Sequence, residues 1–193
     1  MIFYTSDLHL GHANIIKHCN RPFKNVKEMD KYLIDAWNSV VQNTDTVYII
    51  GDLIFRAQSE YIEDYLNKLK GEKHLIIGNH DRSWLNKPNH DYQKFFKSIT
   101  PLLYAPNKSH STVMCHYPMM TWPKENRNAY MVYGHIHANT HEWFWPIIAQ
   151  KNNMLNAGVD INNYIPVTLE QMIQNNQKFK EEWITNGGQP YGK

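Results

Sequence analysis

Apolar positions follow two rhythms along the 193-residue chain. Short apolar runs at residues 2–6, 46–50 and 73–77 read as strands. Between them, Val26, Met29, Leu33, Trp37 and Val40 recur at helical spacing. Asn25-x-x-Glu28 resembles a capping box at the start of this stretch, so the pattern predicts a helix over 26–43. Ile62, Leu66 and Leu69 share a second helical face, with Ser59 as a cap and Gly71 as a stop. The first half therefore reads β-α-β-α-β, which favours parallel strands with right-handed crossovers. Apolar runs at 101–105, 111–115, 130–134 and 154–158 have little helix between them and predict a second, more antiparallel sheet. Thr168-x-x-Gln171 is another capping box and opens a final helix to about residue 183. With no repeat or low-complexity linker, a single α/β domain is expected over 1–185, with a flexible tail at 186–193.

The polar residues add a second pattern. Asp7-Leu8-His9 follows the first strand, Gly51-Asp52 the second and Gly78-Asn79-His80-Asp81 the third. His116 follows the run 111–115, and Gly134-His135-Ile136-His137 follows 130–134. In α/β folds such strand ends converge on one crevice. In extended chain, residues two apart face the same side, so Asp7 and His9 are expected to point together; His135 and His137 would do the same, unless a tight loop sends them to different ions.

Composition narrows the partners. A net charge of +2 from 20 basic and 18 acidic residues gives no basic track for long nucleic acid. Two cysteines, Cys19 and Cys115, make no disulfide framework, and Cys115 reads as a small buried residue at a strand end. No stretch approaches the ~20 apolar residues of a membrane span, and no signal peptide is evident. The expectation is a soluble cytoplasmic protein with no membrane partner.

The oxygen and nitrogen ligands suit a two-metal centre. A bridging carboxylate holds two cations about 3.5–4 Å apart, and neutral imidazoles and an amide complete the set. Two carboxylates leave surplus positive charge, which attracts phosphate and favours ionisation of water. The absence of a cysteine pair at zinc spacing argues against a structural zinc site.

The ordered set Asp7-x-His9, Gly51-Asp52, Gly78-Asn79-His80-Asp81, His116 and Gly134-His135-x-His137 resembles the calcineurin-like metallophosphoesterases. The segment Asn156-Ala-Gly-Val-Asp160 resembles the closing segment of their small bacterial and phage-encoded members. The resemblance implies a four-layer αββα sandwich, with two mixed sheets packed face to face and helices outside. It implies that Asp7, His9, Asp52 and His137 hold one metal, while Asp52, Asn79, His116 and His135 hold the other. His80 would contact the phosphate and protonate the leaving oxygen, and Asp81 would orient His80. The implied protein is a binuclear metal-dependent phosphoesterase with two divalent ions, Mn as the assay metal and Fe, Zn, Ni or Co as alternatives. Its expected substrate is a small phosphodiester such as a nucleotide, ahead of a phosphomonoester or a long nucleic acid. A non-catalytic protein-binding scaffold is the rival from another class.

The chain departs from the family at Phe55, where many members carry a second aspartate. This puts a supporting hydrogen bond near Asp52 in question. Other positions keep two readings. His12 suits substrate contact or solvent, and Asn14 suits a helix cap. Arg21, Arg56 and Arg82 read as surface charges able to clamp phosphate. Trp143-Phe144-Trp145 suits core or self-association ahead of base stacking. Asp160 reads as structural.

Overall fold

The computed structural model describes residues 1–55, 59–106 and 110–189; Arg56 and the end of the expected tail, 190–193, lie outside the described residues. Two four-stranded sheets form the centre. The first has the order β1 (Ile2–Thr5), β2 (Thr46–Ile49), β3 (Glu72–Ile76) and β4 (Ser98–Thr100), and every pair is parallel. The second has the order β5 (Leu102–Ala105), β6 (Thr112–Cys115), β7 (Tyr130–Tyr133) and β8 (Met154–Asn156). Only β5–β6 is antiparallel; β6–β7 and β7–β8 are parallel. The second sheet is thus mixed, and less antiparallel than its short connections suggest. Both parallel links have room for a crossover: 116–129 carries a 3-10 turn (Glu125–Arg127), and 134–153 carries a short helix (Trp145–Ala149).

Strand alternation builds the layers. Phe3, Val47, Ile49 and Leu75 face one core with Met29, Leu33, Trp37, Ile62 and Leu66. Tyr4, Ile50, Ile76, Met114, Val132 and Leu155 fill the space between the sheets. Val113, Met131, Tyr133 and Met154 face a third core with Trp122, Trp145 and Ile148. Each fully buried large side chain contributes on the order of 1.5–3 kcal/mol.

The helices are α1 (Ala13–His18), α2 (Val26–Val40), α3 (Ser59–Lys68), α4 (Arg82–Leu85), α5 (Trp145–Ala149) and α6 (Leu169–Thr185). Asn25 Oδ1 accepts from Glu28 N at 3.0 Å, as its cap position predicts. At Thr168 both bonds of the capping box are present. Asn14 does not cap α1: the N-cap is His12, and Asn14 lies inside the helix. No helix among the described residues is long and apolar enough to cross a membrane. Trp145 is buried, whereas Trp143 is 78% exposed, so the aromatic triplet divides between core and surface.

Candidate metal centre

The strands stop before the polar motifs begin, and left-handed residues then turn the chain. Asp7 (φ 58°), His9 (54°), Asp52 (54°), His135 (70°) and His137 (51°) all adopt this conformation. It costs a non-glycine residue about 1–2 kcal/mol, and such strain concentrates at functional sites. The expected extended geometry of Asp7-x-His9 and His135-x-His137 is therefore replaced. Through left-handed turns Asp7 and His9 converge on one set, whereas His135 and His137 go to different sets, and the intervening Leu8 and Ile136 are buried in apolar clusters.

Backbone bonds align these turns. Asp7 N donates to Gly51 O and His9 N to Asp52 O, both at 3.0 Å. Gly134 N donates to His116 O at 2.9 Å. The glycines permit this approach: a Cβ on Gly134 would collide with Ser6 Oγ and stand 2.6 Å from Asp7 Oδ2.

All seven expected ligands meet in one crevice. Asp7, His9 and His137 each place a ligand atom within 4.8 Å of the others, and so do Asp52, His116 and His135. Asp52 Oδ2 joins the sets, 3.7 Å from His9 Nε2 and 3.3 Å from His116 Nε2. Asn79 Oδ1 lies 3.1 Å from His116 Nε2. His80 Nε2 is 3.9 Å from Asp52 Oδ2, at the more open edge of the cluster.

The donor arrangement fits divalent cations. His9 Nε2 is buried without a hydrogen-bond partner, although burial disfavours an unmet polar atom. His116 Nδ1 lies 2.9 Å from Ile50 O, which makes it the donor and leaves a lone pair on Nε2. That lone pair faces the oxygens of Asp52 and Asn79. A cation held there would take the place of a proton on Nε2 and share all three atoms.

In the protein alone, protons answer the same electrostatics. Burial opposes charge on His116, but its bond to Asp52 and the Asp7 and Asp52 charges push its pKa up to about 9. Burial and the neighbouring His137 hold His9 down to about 2. Burial raises Asp52, yet hydrogen bonding and charge from His116 outweigh it and bring the carboxyl to about 2.

Several supporting groups differ from expectation. Asp81 does not orient His80. Its buried carboxylate accepts from Asp52 N (2.8 Å), Gly78 N (2.8 Å), Leu53 N (3.0 Å) and Trp84 Nε1 (3.1 Å). These four N–H groups saturate it, so Asp81 fixes the Asp52 turn instead. It makes no side-chain cap bond to α4 either. Phe55 stacks on His12, with ring centroids 3.6 Å apart, and meets the His80 ring edge-on at 4.9 Å. The His12 ring also lies beside His9, with their Nδ1 atoms 3.4 Å apart.

Arg21 is not a surface charge: it is buried and paired with Asp160, whose other neighbour is His137. Arg82 is exposed. Cys115 packs against the outer core of the second sheet. Sequence reasoning gave no role to Ser6, Tyr117 or the side chain of Asn156. Ser6 Oγ donates to Asp7 Oδ2 at 2.7 Å. Asn156 Nδ2 donates to His137 O at 2.8 Å. Tyr117 stands 4.5 Å from the His135 ring, and its hydroxyl donates to Asn79 Oδ1 at 3.4 Å. The signal available for Ser6 and Tyr117 was adjacency to a ligand.

Two sheets with flanking helices, and Asp/His sets able to hold divalent metal at their strand ends, define a metal-dependent phosphoric ester hydrolase. The chain belongs to the calcineurin-like phosphoesterases, whose family model matches residues 1–146. An uncharacterized protein of Methanocaldococcus jannaschii is 37% identical over 180 residues, covering 93% of each chain. The Gene 66 protein of Mycobacterium phage L5 is 29% identical over 160 residues, covering 70% of this chain and 77% of its own. The crystal structure of a protein of unknown function from Aquifex aeolicus shares the fold, with a TM-score of 0.68 at 23% identity. The match covers 90% of this chain and 98% of the other.

Proposed function

We propose that the protein is a binuclear phosphodiesterase acting on a small nucleotide or another accessible phosphodiester. The position of Asp52 Oδ2 carries this reading, because it faces His9 of one ligand set and His116 of the other. Asp7, His9, Asp52 and His137 would hold one divalent ion, and Asp52, Asn79, His116 and His135 the second. The ions supply water activation and positive charge for the phosphate oxygens. His80, although within ligand range of His9 and Asp52, is assigned to neither set. Its partly exposed ring reaches the crevice, where Nε2 donates a proton to the leaving oxygen. Asp81 supports the reaction indirectly, by holding the Asp52 backbone.

A diester is favoured by space beside the cluster. A cavity of about 580 Å³ borders His137, with Ile15 and Ile136 as apolar lining and Asn20 and Asn139 as polar lining. It offers room for a second organic group on the phosphate. The small net charge favours a compact substrate over long nucleic acid. Free Cys19 and Cys115 suit a reducing compartment, and we assign the protein to the cytoplasm.

The test is hydrolysis by metal-stripped protein after Mn²⁺ addition, comparing bis-p-nitrophenyl phosphate with p-nitrophenyl phosphate. Asp52→Asn and His80→Ala are the controls. Diester cleavage lost in both variants is expected. Monoester preference would make the protein a phosphatase. No turnover with Mn, Ni, Co, Fe or Zn, despite two bound ions, would favour a binding scaffold.

A further inference from the structure

We infer that Arg21 and Asp160 form a clasp that positions His137 and the Asp7–His9 turn, and so sets the affinity of that half of the centre for its cation. The inference rests on the two-metal reading above. Arg21 leaves the end of α1 and enters the core, where its side chain is fully buried and that of Asp160 is 3% exposed.

The guanidinium serves two ligand-bearing segments at once. Nε donates to Asp160 Oδ1 at 2.8 Å and NH2 to Asp160 Oδ2 at 3.1 Å. NH2 also donates to Asp7 O at 2.7 Å, while NH1 donates to Leu8 O at 2.9 Å and meets Met29 Sδ at 3.6 Å. These contacts use the full donor fork of an arginine, which no lysine reproduces. Asp160 passes the constraint on: its Oδ2 lies 2.8 Å from His137 Nδ1. Asp160 thereby holds the Nδ1 proton, so that a cation would be bound at Nε2, as carboxylates arrange for metal-bound histidines.

A buried ion pair is a weak source of stability, because apolar residues of similar size often serve as well. What apolar residues cannot do is fix the His137 tautomer and tether the Asp7 and Leu8 carbonyls together. Cys19, His137 and Asp160 also lie within ligand range of one another. On that side His137 Nδ1 is already engaged with Asp160 Oδ2 at hydrogen-bonding distance, 2.8 Å.

The test is calorimetric titration of Mn²⁺ into metal-free wild type, Asp160→Asn and Arg21→Lys, with Tm measured for each metal-free form. Two binding events are expected in wild type. In each variant one event should weaken about 10- to 100-fold, the usual effect of removing a group that orients a ligand. The other event should stay within about 2-fold, below the 10- to 100-fold range of such orienting effects. Unchanged events would overturn the clasp. So would equal weakening of both alongside a lower metal-free Tm, which is the mark of a merely structural pair. Failure of wild type to bind Mn²⁺ would instead remove the two-metal reading. If neither variant folds, ¹⁵N shifts of His137 in Mg²⁺- or Zn²⁺-loaded wild type decide the question. A proton on Nδ1 with Nε2 bound supports the clasp, and binding through Nδ1 overturns it.

Discussion

The two halves of the candidate centre are held in different ways. Around Asp7, His9 and His137, polar groups brace the ligands from behind. Asp7 accepts from Ser6 Oγ and His135 N, while His137 is gripped at its ring by Asp160 and at its carbonyl by Asn156. Around Asn79, His116 and His135 the support is uneven. His116 is buried and tied to Ile50 O. The His135 ring leans on the half-exposed Tyr117, and Asn79 lies at the surface beside it. Asp52 belongs to both halves. The lesson is that one ligand set is organised before any ion arrives, while the other has freedom at its outer edge.

Breaking the shared residue should have the largest effect. Asp52→Asn is expected to abolish the distinction between the halves, lowering hydrolysis at least about 1,000-fold because the groups act as a unit. Metal content after dialysis should fall below two ions per chain. Next, Gly134→Ala crowds the braced half, from a backbone position that adjoins His135. Its Cβ would meet Ser6 and Asp7, so urea unfolding should show a loss of about 1–3 kcal/mol. A variant as stable as wild type would mean the packing there is looser than described.

Asn79→Ala tests the outer edge. It should weaken one ion about 10- to 100-fold with little change in unfolding midpoint, read by titration and denaturation on the same sample. Tyr117→Phe should have the smallest effect, about 3-fold or less on hydrolysis, since it removes one long hydrogen bond. A loss beyond that would give the Tyr117 hydroxyl a direct part in substrate binding. Finally, a brief chelator pulse sharpens the comparison without mutation. It should yield a one-ion species with the braced set still loaded; simultaneous release of both ions would erase the distinction.

The convergence of the candidate ligands was legible because Asp, Asn and His were placed where apolar runs stopped. The long helices were equally open to reading, through their spacing and through caps such as Asn25 and Thr168, but the short α5 carried no such signal. What escaped was set by tertiary pairing. β4 is a short strand of half-buried residues with no strong alternation, and it went unnoticed. The parallel run β6–β7–β8 was hidden because its crossovers are mostly irregular chain. Arg21 and Asp160 lie 139 positions apart, so nothing local marked them as partners. Asp81 carried a motif's expectation, but its surroundings supply four N–H groups and leave His80 to Phe55. The left-handed ligands were invisible for another reason: aspartate and histidine do not announce that conformation as glycine does.

Those left-handed turns bear on anyone who would transplant the centre. Copying the seven side chains onto the strand ends of another α/β scaffold would reproduce the list but not the site. A regular pleat would send neighbouring pairs along different vectors, and ordinary loops would relax away from the bend. A working graft would have to import the glycines, the paired carbonyls and the turns first, and add the ligands last. In this chain the shape of the candidate centre is written mostly in main-chain torsions.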